Sequence, residues 1–219
     1  MNNISKAWNW KKADSKFFIS PCEESYYLIN RWKYKGYSDF LDLGSGKGRH
    51  SIQFAKEGFN VSAIDLSEEG INILRDWATE ENLTVNAKVS DMLKLPFSDD
   101  RFDCLLSYNV ISHTDTNGLK TVISEIGRVL KDGGEFFVTV CSKNDRKFKD
   151  KRFPRIDENT TLMIEDGPEF NIPHCCVDEV LIRELFWEFE LLTIRQVQDF
   201  YVIDGTQHDS WHYIIIGQK

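Results

Sequence analysis

The stretch Phe40-Leu41-Asp42-Leu43-Gly44-Ser45-Gly46-Lys47-Gly48 decides the fold. Its first four residues are apolar and β-prone apart from Asp42. Three alternate glycines then force a tight turn into Arg49–Lys56, which reads as a helix. Glycine tolerates the dihedrals of such a turn and lets a ligand come close to the backbone. Asp65 stands 21 positions after Gly44, at the end of the run Val61-Ser62-Ala63-Ile64. That spacing suits a carboxylate at the tip of a second strand, chelating two ribose hydroxyls. Strand, glycine turn, helix, strand and acid together indicate a nucleoside held by an open α/β sheet.

Three details select the nucleoside. Counting from Gly44, the sixth position is Arg49, so the dinucleotide pattern G-x-G-x-x-G is broken and G-x-G-x-G stands in its place. Asp42, two residues before the first glycine, repels a pyrophosphate but attracts the ammonium of an amino-acid tail. Ser90-Asp91-Met92, after the strand-like Val85–Val89, adds an acid placed to accept from an exocyclic adenine amine. A cation near Asp42, ribose at Asp65 and adenine at Asp91 describe S-adenosylmethionine. Asp65 as a helix cap and Asp91 as a turn cap are the plainer alternatives.

On these residues the chain resembles the class I S-adenosylmethionine-dependent methyltransferases of the small-molecule type 11 group, and is similar to their tellurite-resistance branch. The matching segments are Leu41–Gly48, Ala63-Ile64-Asp65-Leu66-Ser67, Ser90-Asp91-Met92 with Leu95-Pro96-Phe97, Phe102–Val110 and Arg128–Gly134. They run in order over residues from about 40 to 140. The resemblance implies a Rossmann-like, doubly wound α/β sheet of seven mostly parallel strands in the order 3-2-1-4-5-7-6, with an antiparallel terminal hairpin and helices on both faces. It also implies S-adenosyl-L-methionine as cofactor, S-adenosyl-L-homocysteine as product and a small-molecule methyl acceptor. The cofactor-binding residues on this reading are Asp42, Gly44, Ser45, Gly46 and Gly48 at the methionine end, Asp65 and Leu66 at the ribose, and Asp91 and Met92 at the adenine. Tyr108 and Asn109 follow the fourth strand, and His113 beyond them is the catalytic candidate.

At 219 residues the chain has the length of one domain with a sizeable core. Its net charge of −8, from 27 basic and 35 acidic residues, argues against a general nucleic-acid binder. Met1–Trp10 lacks the apolar run of a signal peptide, and no apolar stretch reaches membrane-spanning length. Five cysteines at irregular spacing fit a reducing compartment rather than a disulfide frame. These features lead to an expectation of a soluble, cytoplasmic protein, monomeric or homodimeric, with no membrane partner.

Periodicity predicts a leading helix over Glu23–Lys35, then strand 40–43, helix 47–57, strand 60–65, helix 67–81, strand 84–89, strand 102–107, helix 117–130 and strand 134–140. The alternation implies parallel strands covered on both faces. The rhythm breaks over 142–173, a polar stretch with three prolines, too long for an ordinary connection. Helix 177–187 and strands 189–198 and 210–217 follow. With about a dozen residues between them, the last two strands have no room for a helical crossover and must pair antiparallel. The chain thus divides into an N-terminal helical lid (1–37), a cofactor-binding core (38–141), a substrate flap (142–176) and a C-terminal helix and hairpin (177–219). The aromatics Trp8, Trp10, Phe17, Phe18, Tyr26 and Tyr27 are lid candidates, with packing on the sheet edge as the plainer reading.

His113 suits proton removal near neutral pH, a hydrogen bond to cofactor or acceptor, or a helix cap near Thr116. No proline follows Asn109, which departs from the Asn/Asp-Pro-Pro-aromatic run of amino-methylating relatives. Cys104 and Cys141 lack a flanking Pro-Cys pattern and read as core thiols. His208 and His212, with His174-Cys175-Cys176 as soft ligands, suggest a metal, but Cys-x-x-Cys is missing and alternate strand histidines stand too far apart without a bend, so no metal is expected. His174 and His212 are expected to line the acceptor pocket beside the flap or to satisfy buried backbone groups. The basic run Lys143, Arg146, Lys147, Lys149, Lys151, Arg152 and Arg155 reads as a solvated loop or as a draw for anions. An RNA or protein methyltransferase using that flap is therefore the first alternative. A nicotinamide oxidoreductase and a non-catalytic cofactor-binding module are alternatives of other classes.

Overall fold

The structure, a computed structural model, describes residues 6–13, 19–203 and 205–219. Phe17 and Phe18 lie outside them. A seven-stranded sheet forms the centre. Its parallel strands are β1 (Asp39–Leu43), β2 (Asn60–Asp65), β3 (Val85–Val89), β4 (Phe102–Ser107) and β5 (Leu130–Cys141). Two small strands, β6 (Thr160–Leu162) and β7 (Pro173–Cys175), pair antiparallel apart from it. The terminal strands β8 (Glu190–Ile203) and β9 (Thr206–Gln218) pair antiparallel, and β9 runs antiparallel to β5. The main sheet has the order β3-β2-β1-β4-β5-β9-β8. This is the expected order, with the last two numbers raised by the two flap strands.

The strands are buried on both sides because alternate residues serve different cores. Phe40, Cys104, Leu106 and Phe137 meet helix α1 (Glu23–Tyr34) through Leu28, Ile29 and Trp32, and helix α2 (Arg49–Lys56) through Phe54. On the same side, helix α3 (Glu68–Glu80) packs Ile71, Leu74 and Ala78 near the β2–β3 edge. Leu41, Leu43, Leu105, Phe136 and Val138 serve the opposite core, with helix α4 (Thr116–Val129) and helix α6 (Glu179–Leu185). Side-chain oxygens of Ser67, Asp115 and Asp178 cap α3, α4 and α6 by accepting from Gly70, Gly118 and Leu181 N–H.

Helix α1 is a core helix rather than a lid. Its Arg31, Trp32 and Lys35 converge on the fully buried Glu135 carboxylate of β5, at 2.6–2.8, 2.9 and 2.5 Å. Tyr26 and Tyr27 stay exposed on its outer side.

Three boundaries differ from the sequence reading. Strand β5 starts at Leu130 and accommodates Gly133-Gly134 in a register shift opposite Phe102 and Cys104. A Cβ on Gly134 would stand 2.9 Å from the Asp103 carbonyl oxygen, so the bulge keeps a glycine there. Strand β8 runs on to Ile203 and β9 begins at Thr206, beyond the expected bounds at 198 and 210. Their outer halves extend past the end of β5 as a two-stranded ribbon with exposed Phe200 and Val202. The flap, finally, is folded: it holds the β6–β7 pair and one helical turn, α5 (Arg146–Lys149), capped by Asp145.

Candidate active site

The carboxyl ends of β1, β2, β3 and β4 open into one cavity of about 600 Å³, within the range of small-molecule sites. The glycine turn forms its floor. Gly44, Gly46 and Gly48 all have positive φ (77°, 54° and 95°). A Cβ on Gly44 would meet Val110 at 2.3 Å, and one on Gly46 would meet the Trp10 ring at 2.5 Å. Ser45 lines the cavity, and its buried Oγ has no hydrogen-bond partner. Gly44 and Ser45 N–H both donate to the Ile64 carbonyl, which ties the turn to β2.

Asp65 closes the turn from the second strand. Its Oδ2 accepts from Gly46 N–H at 2.8 Å and its Oδ1 from Ser67 N–H at 2.7 Å. Each oxygen keeps one lone-pair direction for a ligand hydroxyl. Burial raises its pKa against these backbone donors. Ser67 caps the helix, so the plainer role proposed for Asp65 is already filled. Leu66, Asp91 and Met92 also line the cavity. Asp91 does cap a turn as well, because its Oδ1 accepts from Leu93 N–H at 2.9 Å.

Two expected contacts are placed elsewhere. Asp42 lies outside the lining. As an interior residue of β1 it turns toward α2, where its carboxylate accepts from Ser51 Oγ at 2.5 Å. Complete burial pushes its pKa up to about 6. Gly48 is likewise outside the lining. Its positive φ starts α2, and a Cβ there would strike Leu74 of α3 at 2.2 Å.

Beyond β4, Tyr108 and Asn109 line the cavity. Asn109 holds φ at +59°, and its Oδ1 accepts from Thr139 Oγ1; asparagine is among the few residues that tolerate this region. His113 faces the same space, and Asp115 rather than His113 caps α4. Trp8 stacks on His113 with ring centroids 5.8 Å apart, and Trp10 lies 5.8 Å from Trp8 over the glycine turn. This N-terminal strap is tied to the flap by Asn9 N–H donating to the Pro168 carbonyl and by the Lys12–Asp166 ion pair. Strap and flap together roof the cavity.

The flap brings in residues the sequence reading missed. Glu169 reaches the His113 end of the cavity, where Lys147 Nζ stands 3.2 Å from its Oε2. Burial opposes the Glu169 charge, but Lys147 outweighs it and holds the carboxyl down at about 2. Burial pulls His113 down to about 4 and His212 to about 3, and His174 falls well below its usual value. These rings are neutral near pH 7. Glu169 sits alone in a polar stretch with no periodicity, so only the folded flap reveals its place. Three more flap cations are paired, Arg146 with Glu165, Arg152 with Asp150 and Lys143 with Asp178 just beyond the flap. Cys104 and Cys141 are buried, and their thiols are pushed up well above the usual range, Cys104 by burial and Cys141 first by the Cys176 thiol beside it. Among the described residues, no helix is long and apolar enough to cross a membrane.

Residues 40–134 match a methyltransferase domain family. Over 140 residues the chain is 34% identical to phosphoethanolamine N-methyltransferase 2 of Caenorhabditis elegans, which covers 61% of this chain and 31% of that protein. The chain spans less than half the length of the first curated relatives it matches. Its fold is similar to that of an S-adenosylmethionine-dependent methyltransferase from Methanosarcina mazei, with a TM-score of 0.70, 23% identity and coverage of 83% and 92% of the two chains. It is also similar to TehB of Haemophilus influenzae, with a TM-score of 0.67, 17% identity and coverage of 89% and 62%.

Proposed function

We propose, with a class I methyltransferase domain over residues 40–134 as the premise, that this chain transfers a methyl group from S-adenosylmethionine to a small polar acceptor by in-line displacement. One observation carries the reading: the glycine turn, Asp65 and Asp91 face a single cavity that continues, past Tyr108 and Asn109, to His113. The donor set suits the cofactor. The glycines allow the positive-φ turn that borders the cavity, Ser45 offers an orphaned hydroxyl, and Asp65 keeps lone pairs for a ligand.

The cofactor, when bound, supplies an activated methyl group, and the protein supplies placement and a dry enclosure. Gly44, Ser45 and Gly46 cradle the amino-acid end, and Asp65 accepts from the ribose hydroxyls. Asp91 and Met92 border the adenine. His113, neutral in the cavity, faces the acceptor and orients it by a hydrogen bond. Trp8 and Trp10 exclude water from above. Ion pairs engage Lys143, Arg146, Lys147 and Arg152, four of the seven flap cations, and so reduce the positive charge open to an RNA backbone, which favours a small acceptor. The named relative's phosphoethanolamine, a small polar amine, is consistent with that class.

The test is turnover. Methyl-labelled S-adenosylmethionine is incubated with the full chain and a panel of small amines, phenols and thiols. Labelled product with at least one class is expected, together with S-adenosylhomocysteine. Tight binding of S-adenosylhomocysteine with no transfer to any class would leave a binding module instead.

A further inference from the structure

Three side chains from distant parts of the chain meet at the His113 end of the cavity. His113 comes from the loop after β4, Glu169 from the flap, and His174 from β7. One ligand atom from each lies within 4.8 Å of the other two. His113 Nε2 stands 3.9 Å from Glu169 Oε1, and His174 Nε2 stands 3.7 Å from Glu169 Oε2. Both separations exceed a hydrogen bond. His174 is 2% exposed, and its Nε2 has no hydrogen-bond partner. A buried polar atom left in that state is costly, and here it faces the carboxylate across an open gap.

We propose that His113, Glu169 and His174 form a binding site for one divalent first-row transition metal ion of the zinc type. Two imidazoles and one carboxylate are a donor set that zinc takes at about 2.0–2.2 Å. Ligand atoms at that distance and a tetrahedral angle stand about 3.4 Å apart. Side-chain adjustments of roughly 0.3–1.4 Å therefore bring the three onto one ion. Both rings are neutral near pH 7, the form that donates to a metal. An ion here would give the orphaned His174 nitrogen its partner. Three protein ligands leave coordination positions open; they face the cavity, where water or an oxygen or sulfur of the acceptor completes the shell. Metal binding stands without the methyltransferase reading; only its place beside the acceptor rests on that reading.

Lys147 sets the opposing term. Its ammonium lies 3.2–3.3 Å from both Glu169 oxygens and holds the carboxylate that the ion needs. Lys147 and the ion therefore compete for one anion, so loss of the lysine charge must tighten metal binding. A purely structural Glu169–Lys147 pair gives no such gain.

The full chain, stripped with chelator, is titrated with Co²⁺ and followed by visible absorption and calorimetry. One Co²⁺ per chain, displaced by Zn²⁺, is expected. Glu169→Gln and His174→Ala should each weaken binding by more than about 100-fold, beyond the effect of losing an outer-shell partner, and Lys147→Met should tighten it severalfold. S-adenosylhomocysteine binding by each variant reports that the cofactor end is intact, and circular dichroism checks the fold independently. Glu169→Gln is the variant that decides if His174→Ala does not fold. Lack of stoichiometric Co²⁺ binding by the parent, or undiminished binding by folded Glu169→Gln, overturns the site. A parent that binds Co²⁺ and ignores S-adenosylhomocysteine keeps the metal site and removes the methyltransferase reading.

Discussion

At the residue scale, the account turns on Asp65. Its two oxygens each accept one backbone N–H and retain one direction for a ribose hydroxyl. Hydrogen bonds to a charged group contribute about 1.5–3 kcal/mol each, so losing two with Asp65→Ala should weaken S-adenosylhomocysteine binding by roughly 10²- to 10⁴-fold. Calorimetry checks this, and affinity within error of the parent would remove the ribose assignment. His113→Ala should slow turnover by roughly 10²-fold or more while the cofactor Kd changes little, because the ring lies beyond the glycine turn. Unchanged turnover would exclude its contact with the acceptor. Asp65 and the glycines were legible because a short motif carries their geometry within one strand and one turn. Asp42 misled for a related reason. Position in the motif placed it beside the ligand, but an interior strand residue turns to whichever helix covers that face, and Ser51 of α2 is there to meet it.

At the element scale, the alternating strands and helices were readable because the inner strands β1 and β4 are mostly apolar on both faces and the helices are amphipathic. What escaped was the flap. Its order comes from Asp145 and the ion pairs of Arg146 and Lys147, contacts with distant residues that no local period announces. The outer ribbon of β8 and β9 escaped as well, since it projects beyond β5 with Tyr201 and His208 on the cavity and Phe200 and Val202 exposed on the other face. Helix α1 offers a direct test of packing. Glu135 is completely buried, and its pKa is lowered because Arg31, Lys35 and Trp32 together outweigh the cost of burial. Glu135→Gln leaves cations facing a neutral amide, and breaking a buried pair in this way costs about 3–5 kcal/mol. Urea unfolding should show that loss with an unchanged slope; a midpoint equal to the parent's would mean that α1 is held by its apolar side alone.

At the scale of the whole molecule, acid should loosen the roof of the site. His113 is a base whose folded pKa, about 4, lies below its ordinary 6.5 because burial disfavours the imidazolium. The unfolded chain binds the extra proton between those values, so stability falls as pH drops from 6.5 toward 4. For this one ring the loss at pH 5 is on the order of 2 kcal/mol, and His212 adds to it in the same direction. Glu169 acts lower: its carboxyl is held at about 2, so its contribution is present above 4.5 and fades as pH falls through 2. Denaturant midpoints at pH 7 and pH 5 measure the histidine part, and equal midpoints would contradict buried neutral rings.

The most direct measurement of the central claim is calorimetric titration of the purified chain with S-adenosylhomocysteine and, separately, with NAD. The account predicts saturable binding of one S-adenosylhomocysteine per chain and no binding of NAD. Binding of NAD alone, or heats at the level of dilution for both, would contradict it.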